Sequence, residues 1–458
     1  MTFDELPRAA LARRRDALMA ALPAHRVLFA AGQPRARNYA ANTFPFRPDS
    51  HLLYFFGWGV PGAMGLLADG RATLFLPTPD PDDALWSGPR ADLAEIAAAL
   101  GVGVEPLASL PAALRGRNVA TLPAIDGETR AQQATLLGRA VAPRTFSDAD
   151  AALADAVIAL RLQHDEAAVR ELRRAAEVTA LAHTAGMRAT RGGVSESFVR
   201  AAMEAELTKR GCATAYGSIV TVHGEILHNE SHANVLAEGD LLLCDVGAES
   251  TGGWAGDVTR TWPVSGRYSP EQAAVYDVVL GAQRAAIAAA RPGVRYRALH
   301  VRATEAIARG LVELGLLRGD PLERAHDGSA ALFFPHGVGH LLGLDVHDME
   351  DLGDRAGYGQ GRSRSTEPGL RYLRLDRDLQ EGMAVTIEPG IYFVPAILDN
   401  PETRRAWADR VDWPNVENYR GLRGIRIEDD VLITASGADV MTAAIPKERF
   451  AIETILSR

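Results

Sequence analysis

Two periods of apolar positions run through the first third of the chain. Residues 2–21 repeat their apolar side chains at helical spacing and predict an amphipathic helix. Arg26–Ala30 is a short apolar strand, stopped by Gly32 and Pro34. A strand over Ala72–Pro77 and helices over Ala91–Leu100 and Arg130–Arg139 continue the alternation to about residue 150. That order predicts an α/β domain with at least partly parallel strands. The densest aromatic patch, Phe46–Trp58, reads as core plus a turn rather than a site. Ser147–Gln163, rich in Ala and Asp, reads as a connecting helix.

Beyond it the pattern changes. Asp165–Met187 places Val169, Leu172 and Ala176 on one face of a charged helix, and Ser195–Lys209 is a second helix closed by Gly211. A third starts at a capping box, with Ser269 as N-cap, Pro270 at N1 and Gln272 at N3, and runs to about Ala290. A fourth covers Tyr296–Leu316. Around them lie apolar, β-branched runs at Ser218–Val222, Leu241–Val246, Val258–Pro263, Ala384–Ile387, Ile425–Ile427 and Val431–Ile433. The expectation is an α+β domain over 158–458, with helix pairs on one curved sheet, preceded by a smaller α/β domain over 1–157. The polar stretches 349–368 and 396–422 read as long loops, which in compact domains are usually functional or mobile.

Composition narrows the class. A chain of 458 residues with 47% hydrophobic and 23% charged residues has the make-up of a soluble globular protein of two domains. Its net charge of -9 argues against nucleic acid or an anionic membrane as partner. Cys212 and Cys244 form no CxxC pair, and the charged N-terminus has no apolar h-region, so a reducing cytoplasm is expected.

The chemistry gathers in Pro335–Asp348, where His336, His340 and His347 fall within twelve residues. Gly337 and Gly339 would each cost about 1 kcal/mol inside a helix, so this segment reads as extended or looped backbone bringing imidazoles to one wall. Four acids stand at the ends of apolar strands. Asp245 ends Leu241–Asp245, and Asp257 opens the next strand; a hairpin through Glu249–Gly253 sets the two side by side. Glu388 follows Val385–Ile387, where Pro389 ends the pairing, and Glu428 shares one face of its strand with Arg426. Any one of these acids could simply cap a turn. Four of them beside a histidine cluster repel one another unless cations bridge them. Two divalent ions would cancel the charge, acidify a shared water and polarise a carbonyl. Oxygen-rich ligation with one imidazole suits Mn²⁺ best, with Co²⁺, Zn²⁺ or Fe²⁺ as alternatives.

In order and context, Asp245, Asp257, His340, Glu388 and Glu428 resemble the five metal ligands of the Xaa-Pro peptidases with the pita-bread fold. These form the aminopeptidase P and prolidase branch of the methionine-aminopeptidase-like metallopeptidases. The stretches HGVGHLLGLDVHD, TIEPGIYF and GIRIEDD carry the resemblance, which covers most of the chain. It implies that Asp245 chelates one metal, that Asp257 and Glu428 bridge both, and that His340 and Glu388 hold the other, Glu388 also taking the proton of the attacking water. It further implies that His228 contacts the scissile group, that His347 stabilises the tetrahedral intermediate, and that His336 lines a proline pocket. Tyr392 and Arg426 match positions near metals and substrate. His223 and His232 have no counterpart and read as ordinary loop residues. A homodimer or homotetramer is implied, with a proline-containing di- or oligopeptide as substrate.

Within the branch, Glu367–Arg374 resembles the prolidase segment whose last arginine, here Arg374, grips a dipeptide's free carboxylate. The long 396–422 stretch also favours an Xaa-Pro dipeptidase. Residues 212–235 and Phe46–Trp58 fit aminopeptidase P as well, and Leu341 departs from both patterns. A non-catalytic binding module and creatinase-like chemistry are disfavoured by the intact ligand set. Methionine aminopeptidase is disfavoured by the 150 or so preceding residues, and a phosphatase by the lack of a phosphate-binding feature.

Overall fold

The structure, a computed structural model, describes residues 6–89, 91–116 and 118–457; residues 2–5 of the expected first helix lie outside them. The chain divides into two compact units. One holds the chain up to Ala167 together with Met349–Gly353; the other holds Ala168–Asp348 and the chain from Asp354 onward. Among the described residues, no helix is long and apolar enough to cross a membrane.

The first unit is built on five strands: β1 (Arg26–Ala30), β2 (Met64–Ala68), β3 (Arg71–Leu76), β4 (Gly103–Pro106) and β5 (Val119–Thr121). Their order is β4-β3-β2-β1-β5. The β1/β5 and β3/β4 pairs are parallel, and the two central pairs are antiparallel. Leu28, Met64 and Phe75 bring their side chains into one core with Leu110. The first helix, Arg8–Ala21, buries Leu11 and Leu18.

The aromatic patch is more than core and a turn. Ser50–Phe56 forms a helix whose N-cap Asp49 accepts the N–H of His51, and six of its residues are buried. Such a helix is enclosed on nearly every side, so it lacks the polar face that helical periodicity depends on. Phe55 stacks on Phe29 of β1 at 4.9 Å. In the same unit His51 donates from Nε2 to Asp351 at 2.9 Å, while its Nδ1 accepts from Arg161 at 3.0 Å.

The second unit carries the helix Glu166–Ala189 from Ala168 onward, and the helices Glu196–Thr208, Pro270–Ala289 and Tyr296–Glu313. The capping box forms as expected: Ser269 Oγ accepts from Gln272 N at 3.2 Å, and Gln272 Oε1 accepts from Ser269 N at 2.9 Å. Its strands are β6 (Ala213–Thr214), β7 (Ile219–Thr221), β8 (Leu241–Asp245), β9 (Ala248–Glu249), β10 (Thr259–Pro263), β11 (Ala384–Ile387), β12 (Gly390–Tyr392), β13 (Gly424–Arg426), β14 (Asp429–Thr434) and β15 (Gly437–Val440). They pair antiparallel as β10-β8-β7, β11-β14-β15, β12-β13 and β6-β9. Three short helices, Pro395–Leu398, Pro401–Ala406 and Trp413–Tyr419, occupy the stretch expected to be a long loop. Each has proline in its first turn, and Asn400 and Asp412 cap the latter two.

Asp150 ties the first unit together. Its carboxylate accepts from Thr121 N at 2.8 Å, from both terminal nitrogens of Arg139 at 2.7 Å and from Ser147 Oγ at 2.8 Å. Burial opposes its ionisation, yet these donors hold its pKa below the usual carboxylate value. A depressed folded-state pKa contributes stability that is present above the unfolded value of about 3.9 and is lost as pH falls through the folded one. Asp150→Ala should therefore cost about 2–4 kcal/mol at pH 7. The gap between variant and wild type in urea denaturation should close as pH falls below about 4. A gap unchanged at pH 3 would mean that the ion pair is not its source.

Candidate active site

The β8–β10 hairpin sets the first two acids. Thr259 pairs with Asp245 in register, and Val246 N donates to Val258 O, so Asp257 lies just beyond the ladder on the same side of the turn. Glu388 follows β11 directly, and Glu428 is the second of the two residues between β13 and β14. The histidine stretch is looped. Gly339 has φ 150°, and a Cβ there would lie 2.3 Å from Thr386 O and from Tyr296 Oη. Only glycine lets this segment lie so close to β11.

Ten of the eleven residues singled out as site residues line one cavity of about 490 Å³: His228, Asp245, Asp257, His336, His340, His347, Arg374, Glu388, Arg426 and Glu428; the eleventh, Tyr392, lies behind the wall, hydrogen-bonded to His336. Leu341, whose identity departs from the family pattern, pairs with Val385 and is not among the lining residues. His223 and His232 lie outside the cavity. His232 donates to Ser218 O at 2.8 Å, and His223 to Glu225 at 3.0 Å. Four lining groups carry no sequence signal as site residues: Glu225, Leu227, Val394 and Ile397. Arg371 and Tyr372 belong to the prolidase-like segment and also line the cavity.

Ligand atoms of Asp257, His340 and Glu428 all lie within 4.8 Å of one another. His340 donates from Nδ1 to Leu341 O at 3.0 Å, which turns Nε2 toward Asp257 at 3.4 Å and Glu388 at 3.7 Å. A nitrogen lone pair facing two carboxylates needs a proton or a cation between them. Burial disfavours the charged imidazole, but Asp257 and Glu388 outweigh it and raise its pKa to about 8. Burial and mutual repulsion push Asp245, Glu388 and Glu428 upward, while His340 outweighs burial and holds Asp257 down. One imidazole and one guanidinium cannot balance four carboxylates in a low-dielectric site, and a divalent cation can. An oxygen-rich donor set with one nitrogen fits such an ion.

A hydrogen-bonded frame fixes these acids. Arg426 donates to Asp245 at 2.7 Å, to Thr259 Oγ1 at 2.9 Å and to Tyr392 Oη at 3.2 Å. Thr259 in turn donates to Glu428 at 2.7 Å, and Tyr216 Oη to the other oxygen of Asp245 at 2.5 Å. No sequence signal marks Tyr216, because its partner is 29 residues away. His336 donates from Nδ1 to Gly337 O and accepts at Nε2 from Tyr392, both at 2.8 Å. Burial, with Arg426 nearby, lowers its pKa to about 3. The ring is neutral with both nitrogens engaged, so it offers the cavity an apolar face. His347 packs on His340 with ring centroids 4.2 Å apart. His228, exposed on the cavity wall, has its pKa lowered by partial desolvation and then by Arg426 and Arg374.

Known proteins share this geometry and the sequence around it. Residues 170–435 match the model of metallopeptidase family M24. The chain belongs to that family. Residues 11–120 match the aminopeptidase P N-terminal domain. This M24 metallopeptidase is 30% identical to the human Xaa-Pro dipeptidase, across 95% of the chain and 90% of the relative. It is 31% identical to the Escherichia coli Xaa-Pro aminopeptidase, with 99% of each covered. In fold it is similar to the Pseudomonas aeruginosa aminopeptidase PepP, with a TM-score of 0.82 at 32% identity over 99% of this chain and 98% of that one. The proline aminopeptidase P II of Yersinia pestis gives 0.81 at 32% identity over 99% and 100%. The catalytic unit thus has the pita-bread fold, with a separate N-terminal domain, as the resemblance implied.

Removing an acid that faces the cluster should be felt first in metal content. Asp257→Ala and Glu428→Ala should each lose bound divalent ion, measured by elemental analysis of protein purified without chelator. Full metal content in both variants would place the ion elsewhere.

Proposed function

We propose that this M24 enzyme is an Xaa-Pro dipeptidase holding two divalent cations, Mn²⁺ in preference to Co²⁺, Zn²⁺ or Fe²⁺. Asp245, Asp257, His340, Glu388 and Glu428 would hold them, and when bound they supply Lewis-acid polarisation of the scissile carbonyl and acidify a water. The catalytic domain runs from residue 158, the protein acts in the cytoplasm, and it assembles as a homodimer or homotetramer.

The chain's own groups do the rest. Glu388, on the cavity wall beside His340, takes the proton of the attacking water. His347 and His228 donate hydrogen bonds to the oxyanion as it develops. An Xaa-Pro bond has no N–H, so the leaving residue is recognised by shape. The neutral face of His336, held by Tyr392, supports that packing.

The observation that carries the dipeptidase reading is the pair Arg371 and Arg374 on the cavity that holds the five candidate ligands. A guanidinium at that wall suits the free carboxylate of a dipeptide, which it can grip bidentately. The second reading, aminopeptidase P action on longer peptides, is favoured by the match of residues 11–120 to that enzyme's N-terminal domain.

Arg374→Ala should lower kcat/KM about 10- to 100-fold on Ala-Pro and far less on Ala-Pro-amide or Ala-Pro-Ala. Equal losses on all three would remove the carboxylate-reading role and favour aminopeptidase P. His347→Ala should lower kcat roughly 10²–10³-fold with metal content kept. Loss of metal in that variant would instead make His347 a ligand.

A further inference from the structure

One acid on the cavity wall takes no part in the cluster. Glu225 lines the cavity three residues before His228, with its side chain 12% exposed. Among the described residues, its carboxylate has one hydrogen bond, from His223 Nδ1 to Oε1 at 3.0 Å, and the buried Oε2 has no partner. Among the described residues, no lysine or arginine pairs with it. Oε2 is closed off, so the carboxylate acts on a ligand through its charge at the cavity wall rather than through a vacant hydrogen bond.

The backbone holding Glu225 is fixed. A Cβ on Gly224 would lie 2.6 Å from Gly424 O, so the loop is pressed directly against β13. Arg423 donates to Val222 O at 3.0 Å on the same loop. The negative charge is thus held in place at the cavity rather than carried on a mobile segment, which is the condition for selecting a ligand.

We propose that Glu225 is a specificity residue that selects a cationic side chain, lysine or arginine, before the proline of the substrate. The assignment rests on the Xaa-Pro reading above. The substrate's α-ammonium is not the group it reads. That group lies two bonds from the scissile carbonyl and must sit beside the cluster, whereas Glu225 forms no hydrogen bond or ion pair with any cluster residue. A lysine ammonium stands four methylenes farther out. Leu227, also on the wall, offers apolar surface for that stem.

The test compares Lys-Pro with norleucine-Pro, which keeps the chain and removes the charge. Wild type should favour Lys-Pro by about 10- to 100-fold in kcat/KM, mostly through KM. Glu225→Gln should bring that ratio close to one. Glu225→Lys should reverse the preference, favouring Glu-Pro over Gln-Pro, a gain that a damaged fold cannot produce. Cleavage of norleucine-Pro with no preference for Lys-Pro would overturn the role of Glu225 and leave the Xaa-Pro reading standing. Failure to cleave both these dipeptides and the tripeptides Lys-Pro-Ala and norleucine-Pro-Ala would overturn that reading and this assignment with it.

Discussion

The site is governed by repulsion among four carboxylates held in a protein interior. Asp257 and Glu428 are almost fully buried, and Asp245 and Glu388 flank them. No chain folds such a group together without a matching supply of positive charge and hydrogen-bond donors. Much of the surrounding architecture provides it. Arg426 reaches Asp245, and Tyr216 closes on the same carboxylate from the opposite oxygen. The strands end where the acids begin, so backbone pairing fixes each acid's position while its side chain faces the cavity.

The run Glu428-Asp429-Asp430 shows how finely the frame is divided. Glu428 faces the cavity and takes the hydroxyl of Thr259. Asp429 points the other way, against Arg260 at 2.7 Å and Lys447 at 2.6 Å, and those cations outweigh burial to keep its pKa low. Asp430 accepts the backbone N–H of Asp257 at 3.1 Å. Three consecutive acids thus serve the cavity, the buried ion pair beneath it and the backbone of a neighbouring acid. Strand alternation produces this separation, since adjacent residues face opposite sides of a sheet.

That alternation also explains what the sequence disclosed. The strand-end acids, the Asp245–Asp257 hairpin and the looped histidines were legible because each depends on residues within a few positions of one another. The Ser269 capping box was legible for the same reason. The helix over Ser50–Phe56 was not, because its burial on nearly every side removes the polar face. The short helices within 396–422 announced themselves only through Asn400-Pro401 and Asp412-Trp413-Pro414, signals submerged in a polar, arginine-rich stretch. Tyr216 and Thr259 could not be read at all, since their partners come from distant strands and nothing local marks a tyrosine or threonine as a donor.

The cavity's charge is distributed in a way that periodicity could never disclose. Its carboxylate cluster is matched by Arg426, and Arg371 and Arg374 add positive charge on the prolidase-like segment. Glu225 is the acid left over from that balance, paired among the described residues only with the partly exposed imidazole of His223. A peptide carries fixed charges at fixed separations from its scissile bond, so a cavity with localised charges of both signs acts as a ruler as well as a container. On the proposed reading, the apolar face of His336 has a narrow role, since it need not discriminate by charge and has only to fit a ring. The frame that holds the cluster does not include Arg371, Arg374 or Glu225, so on that reading catalysis and selectivity can change separately.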